Sequence, residues 1–139
     1  MLKNGVLVLL GGGIGAALRE LLMLSVANLP GGFPMPIFFA NLVAALLVGI
    51  FAALAGTGGL LGSGGKLLLV TGIMGGLSTF SSFVWGTDQM LVNPAERASA
   101  ICYLTLSMGA GFLLVELGLW LGARLVRSRV ETADVIERS

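Results

Sequence analysis

Gly72-Ile73-Met74-Gly75-Gly76-Leu77-Ser78-Thr79-Phe80-Ser81-Ser82-Phe83 is a cluster of glycines, hydroxyls and phenylalanines inside an otherwise lipid-like sequence. Each glycine weakens a helix by about 1 kcal/mol relative to alanine, and Ser and Thr offer the backbone competing hydrogen bonds. The stretch therefore reads as a membrane helix that breaks and releases main-chain carbonyls within the bilayer. Irregular backbone at that depth persists only where protein or a polar pathway receives it. Such a segment points to the handling of ions.

The surroundings support a membrane setting. Of 139 residues, 56% are hydrophobic and 11% charged, and the mean hydropathy is +0.99. A soluble domain carries about 25% charged residues. At about 20 residues per span, a chain of this length supplies four transmembrane helices and little else. The apolar runs place them at Val6 to Ala27, Ile37 to Ala55, Leu67 to Leu91 and Ala98 to Val126, separated by turn-rich connections. Met1 to Leu18 has the basic and apolar character of a signal peptide, but the apolar pattern resumes after Arg19-Glu20 without a small-residue cleavage site, so it reads as a retained first helix. Residues 1–126 thus form one four-helix transmembrane domain and residues 127–139 a charged C-terminal tail. The expected class is an all-α membrane protein, multi-pass in the inner or plasma membrane, with the lipid bilayer as solvent.

Several chemistries are excluded. There is no histidine and a single cysteine, Cys102, which leaves no zinc-type centre and no intrachain disulfide. A net charge of +1 without a basic or aromatic stripe argues against nucleic acid. Gly11-Gly12-Gly13-Ile14-Gly15 lies within an apolar span rather than between a strand and a helix, so it is no phosphate loop, and no nucleophile and base pair is present. The chain is not expected to be an enzyme.

Lys3, Lys66, Arg124, Arg127, Arg129 and Arg138 fall on one side of a four-span topology, against Arg97 on the other, which favours cytoplasmic termini. Arg19 and Glu20 lie inside the first apolar run and point about 100° apart on a helix, so they do not naturally pair. They read either as interfacial ends of a tilted helix or, for Arg19, as an attractor for an anion at a pore mouth. Asn41 reads as an interhelical hydrogen bond or as a pore-lining donor. Glu116 must be hydrated, protonated or paired. Gly11 and Gly15, Gly72 and Gly76, and Gly118 and Gly122 have the spacing of close helix contacts.

Phe80 and Phe83 share a helix face if the helix resumes after the break, and such a pair is ordinarily core or lipid contact. Beside the hydroxyls of Thr79 and Ser81, however, their electropositive ring edges would suit a small anion. The carbonyls of the break would suit a hard cation.

The stretch from Gly72 to Phe83 resembles the GxxGGxTTFSTF signature of the CrcB/Fluc fluoride channels. Gly12-Gly13-Ile14-Gly15-Ala16-Ala17-Leu18-Arg19 is similar to that family's first-helix GGxxGAxxR pattern, and Asn41 falls where its second helix carries an asparagine. The resemblance implies four transmembrane helices with a break in the third, in an antiparallel dual-topology dimer with two fluoride pores. It also implies a central structural sodium ion held by main-chain oxygens, here those of Gly75 and Ser78. Phe80 and Phe83 would present ring edges to fluoride, Asn41 would be the pore asparagine and Arg19 the vestibule arginine. Tyr103 and Ser107 match the start of a fourth-helix polar track. Gly111 and Val115 stand where further track hydroxyls would be expected, and Glu20 where an aromatic would be.

The expected function is passive, fluoride-selective export, with an antiparallel second subunit that is identical or, given the basic asymmetry, a paired homologue. The alternatives are a proton-coupled exporter resembling the small multidrug transporters and using Glu20 or Glu116, or one subunit of a heterodimeric channel.

Overall fold

The structure is a computed structural model that describes residues 2–27, 32–56 and 61–137, with side chains for most of them. The connection tips at 28–31 and 57–60, and Arg138 in the tail, lie outside the described residues. Helix α1 runs Leu2–Ser25, α2 Met35–Gly56 and α6 Arg97–Glu137. Between α2 and α6, the third span is built from α3 (Ser63–Lys66), a π-helical segment (Leu67–Met74), α4 (Gly75–Leu77) and α5 (Phe80–Val92). Among the described residues, four stretches are long and apolar enough to cross a membrane: Leu2–Ser25, Met35–Gly56, Ser63–Val92 and Pro94–Arg129. The protein is an all-helical, multi-pass membrane protein.

Helices α2 and α6 start where local chemistry satisfies free donors. Pro36 lies in the first turn of α2, where its missing N–H is not needed, and Phe38 N–H reaches back to Pro34 O at 3.0 Å. Before α6, Asn93 Oδ1 accepts from Ala95 N–H at 3.2 Å while Asn93 Nδ2 donates to Glu96 Oε1 at 2.9 Å. Arg97 Nε then donates to Leu91 O at 3.2 Å and closes this corner of the bundle. At Gly32, with φ of 75°, an added Cβ would strike the Glu96 carboxylate. Helix α6 continues without interruption past Val126 to Glu137.

Glycines set the spacing of two tight helix pairs. Against the third span, α1 buries Gly11 and Gly15; a Cβ on Gly11 would lie 2.9 Å from Gly72 Cα, and one on Gly76 would lie 3.0 Å from Ala16 N. The second pair is α2 with α6, where a Cβ on Gly49 would lie 2.9 Å from Gly118 Cα. Main chain thus meets main chain, the geometry that small residues permit in membranes, where dispersion replaces the hydrophobic effect as the packing force. The two pairs join through Ala44 of α2 and Met74 and Leu77 of the third span, with Leu22, Val48 and Phe51 packed around them. Near the other end, Met90, Ala100 and Tyr103 form a second cluster with Phe33, Phe38 and Phe83. There Tyr103 meets the rings of Phe33 and Phe83, with centroids 5.2 Å away in each case.

Candidate functional site

Two residues interrupt the third span. Ser78 (φ −73°, ψ 151°) and Thr79 (φ −145°, ψ 110°) are extended between the end of α4 and the start of α5. The preceding π-helical segment, with its i to i+5 pattern, already departs from the α-helical register. Backbone groups that leave a helix at membrane depth need other partners.

Three side chains supply them. Asn41 of α2 meets Thr79 on both main-chain groups: Thr79 N–H donates to Asn41 Oδ1 at 2.8 Å, and Asn41 Nδ2 lies 3.4 Å from Thr79 O. Arg19 of α1 donates from Nη1 to Gly76 O at 3.2 Å. Thr79 Oγ1 accepts from Ser82 N–H at 3.2 Å, capping α5, and donates to Ser82 Oγ at 3.0 Å. Ser81 Oγ lies 3.3 Å from the same Thr79 hydroxyl.

These bonds decide which carbonyls are left over. An unbroken α-helix would give Gly75 O the N–H of Thr79 and Ser78 O the N–H of Ser82, by the i to i+4 rule. Both donors are engaged elsewhere, on Asn41 Oδ1 and Thr79 Oγ1. Gly76 O, whose helical donor would be Phe80 N–H, instead receives Arg19. Gly75 and Ser78 both lie exposed on the surface of the chain. A carbonyl without its donor is a hard oxygen ligand of the kind that sodium and calcium take.

On the same segment opens a cavity of about 460 Å³, with Asn41, Ser78, Thr79, Phe80, Phe83 and Ser107 among its lining residues. No lining residue is charged. Phe80 is 78% exposed in the single chain, and its ring lies 6.1 Å from that of Phe83 at an interplanar angle of 33°. Ser107 Oγ and Tyr103 OH are buried without a hydrogen-bond partner among the described residues. Hydroxyl and amide donors with aromatic edges can solvate a small anion without the tight hold of a fixed cation.

Of the residues singled out from sequence, Asn41, Ser78, Thr79, Phe80, Phe83 and Ser107 come together at the cavity. Ser81 joins through Thr79, and Tyr103 stands behind Phe83. Arg19 reaches the backbone of the interruption instead of lining the cavity. Glu20 and Glu116 are exposed and do not line it. Sequence reasoning passed over Ser82, although a Thr at a helix start is a capping signal that calls for a backbone donor two or three residues on, and over Ala44, Ala45, Val48 and Met108, the cavity's apolar wall.

Residues 6–119 match the family described as CrcB-like protein, Camphor Resistance (CrcB). The chain is 49% identical to the fluoride-specific ion channel FluC 3 of Yersinia pseudotuberculosis over 119 residues, covering 86% of this chain and 88% of that protein. It is 41% identical to a fluoride-specific ion channel FluC of Clostridium perfringens over 110 residues, 78% of this chain and 85% of the relative. A FluC channel of Methylobacillus flagellatus is 35% identical over 127 residues, 90% of this chain and 95% of its own length.

Proposed function

This chain belongs to the CrcB family, and from that premise we propose that it is a fluoride-selective channel that exports fluoride passively. The observation that carries the reading is the uncharged cavity beside the extended Ser78-Thr79 segment, where amide, hydroxyl and ring-edge groups converge. Anion selectivity requires donors that replace part of a hydration shell, and conduction requires that they not replace it too well. Neutral donors from Asn41 and Ser107 with the edges of Phe80 and Phe83 meet both demands, and Thr79 lines the path beside them. Ser81 and Tyr103 extend the same polar path, and Arg19 adds positive potential near it. Nothing in this scheme needs a coupled energy source or a titrating carboxylate, which sets it apart from proton-coupled export through Glu20 or Glu116.

The working unit in this reading is an antiparallel dual-topology dimer with two pores. Support comes from the protomer face that bears Gly75, Ser78, Phe80 and Ser81, all exposed. Polar backbone facing lipid is costly, and a second subunit on this face removes the cost. A sodium ion between the subunits would be held by the Gly75 and Ser78 carbonyls, and the loss of their helical donors to Asn41 and Thr79 fits that role. Its contribution would be structural, fixing the two interrupted spans against each other. The second subunit is an identical chain or, given the excess of basic residues on the side of Lys3, Lys66 and Arg124, an oppositely inserted homologue.

Purified protein reconstituted into liposomes should release fluoride, and little chloride, down a gradient. Absence of fluoride efflux from well-inserted protein refutes the channel reading for this chain alone. Efflux restored only on co-reconstitution with a paired homologue would assign it to a heterodimeric channel.

A further inference from the structure

We infer that Asn41 and the Thr79 side chain are positioning residues for the cation site, each holding one of its carbonyl oxygens free, so that a residue of the anion cavity also builds the sodium site. The inference rests on the sodium reading above and deepens it. Asn41 captures Thr79 N–H, the only donor that α-helical continuation would bring to Gly75 O. Thr79 Oγ1 captures Ser82 N–H, the donor that Ser78 O would otherwise receive. Either carbonyl, once its donor is released, can close a helical turn and withdraw from a cation.

The arrangement is asymmetric in a useful way. Asn41 lines the cavity with an amide whose oxygen accepts from Thr79 N–H, while the Nδ2 group carries two hydrogens and spends at most one on Thr79 O. The amide therefore faces the cation site through its acceptor and the anion cavity through its donor. Thr79 is only 7% exposed, so its main-chain N–H is drawn to a nearby protein acceptor when Asn41 is removed. Return to Gly75 O is then the nearest way to satisfy it.

The test is a sodium titration of thermal unfolding for the detergent-solubilised full chain, with N-methylglucamine keeping ionic strength constant. Wild type should melt higher in sodium, with a defined half-point. Asn41→Ala and Thr79→Val should each move that half-point up by about fivefold or more, the scale of one hydrogen bond's net worth. Thr79→Ser retains the Oγ acceptor and should titrate near wild type, as should Glu116→Gln, whose side chain is exposed and does not line the cavity. Because the two variants release different carbonyls, one that fails to fold leaves the other as the test. A merely structural role would lower melting equally in both salts and leave the half-point unchanged, and that result overturns the inference. Wild type indifferent to sodium would refute the cation reading itself, and the inference with it.

Discussion

Replacing Gly49 with alanine should loosen the α2–α6 pair, whereas Gly75→Ala should leave the protomer fold intact. At Gly49 the added Cβ would lie 2.9 Å from Gly118 Cα and 2.9 Å from Leu119 N, and it would also strike Val115 O. Carbon atoms sit comfortably at about 3.5–4.0 Å, so the helices must part by roughly 1 Å there. A radial gap of that size gives up about a quarter to a half of each affected dispersion contact. Overpacking of this kind costs about 1–3 kcal/mol, which is roughly 5- to 150-fold in the folding equilibrium. At Gly75 the Cβ meets nothing within 4 Å, and φ −65°, ψ −33° is ordinary helical backbone for alanine. Unfolding of each variant in mixed detergent micelles, followed by circular dichroism, measures the difference, with size-exclusion chromatography reporting the oligomeric state. If Gly49→Ala unfolds like wild type, main-chain contact does not set the α2–α6 spacing. Equal damage by both variants at the same oligomeric state would refute the reasoning too.

Phe80→Ile and Phe83→Ile keep most of the apolar volume and remove the ring edges, so each should cut fluoride efflux by about tenfold or more while the oligomer persists. Wild-type flux in both would return the pair to ordinary packing. Glu20→Gln and Glu116→Gln should leave efflux within about twofold of wild type, since neither side chain lines the cavity; loss of a proton-coupled flux in Glu20→Gln would instead favour the coupled exporter. Arg19→Gln removes the charged donor on Gly76 O, a bond worth about 1.5–3 kcal/mol. Amide exchange over residues 76–82 should quicken in that variant, and unchanged protection there would show that Arg19 does not hold the interruption.

Hydropathy made the four spans legible, because apolar runs of bilayer length have few other uses. Their ends were less so: α1 begins at Leu2 and carries Lys3 and Asn4 in its first turn, where polar residues interrupt an apolar pattern without ending a helix. The spacing of Gly11 and Gly15 announced a close contact but could not say that Gly72 and Gly76 receive it, since periodicity describes one helix and not its neighbour. Composition marked Gly72 to Phe83 as weak helix. It could not show that Asn41, 38 residues before Thr79, or Arg19, 57 before Gly76, would take up the released backbone. Such bonds depend on helix rotation and register, which side-chain type alone does not encode. The family resemblance drew attention to the same side chains, yet it spoke of what they do for an ion and not of what they do for the main chain.

Arg19 and Asn41 both precede the segment they hold, and this order has a meaning for biogenesis. A chain made from its N-terminus delivers α1 and α2 to the membrane before the third span arrives. The receptors for the interrupted backbone are therefore in place first. A reversed order would leave the Thr79 N–H and the Gly76 carbonyl facing lipid, at several kcal/mol for each group. The arrangement of the helices along the chain is thus also a schedule, in which the span with extended backbone is the one inserted against a prepared surface.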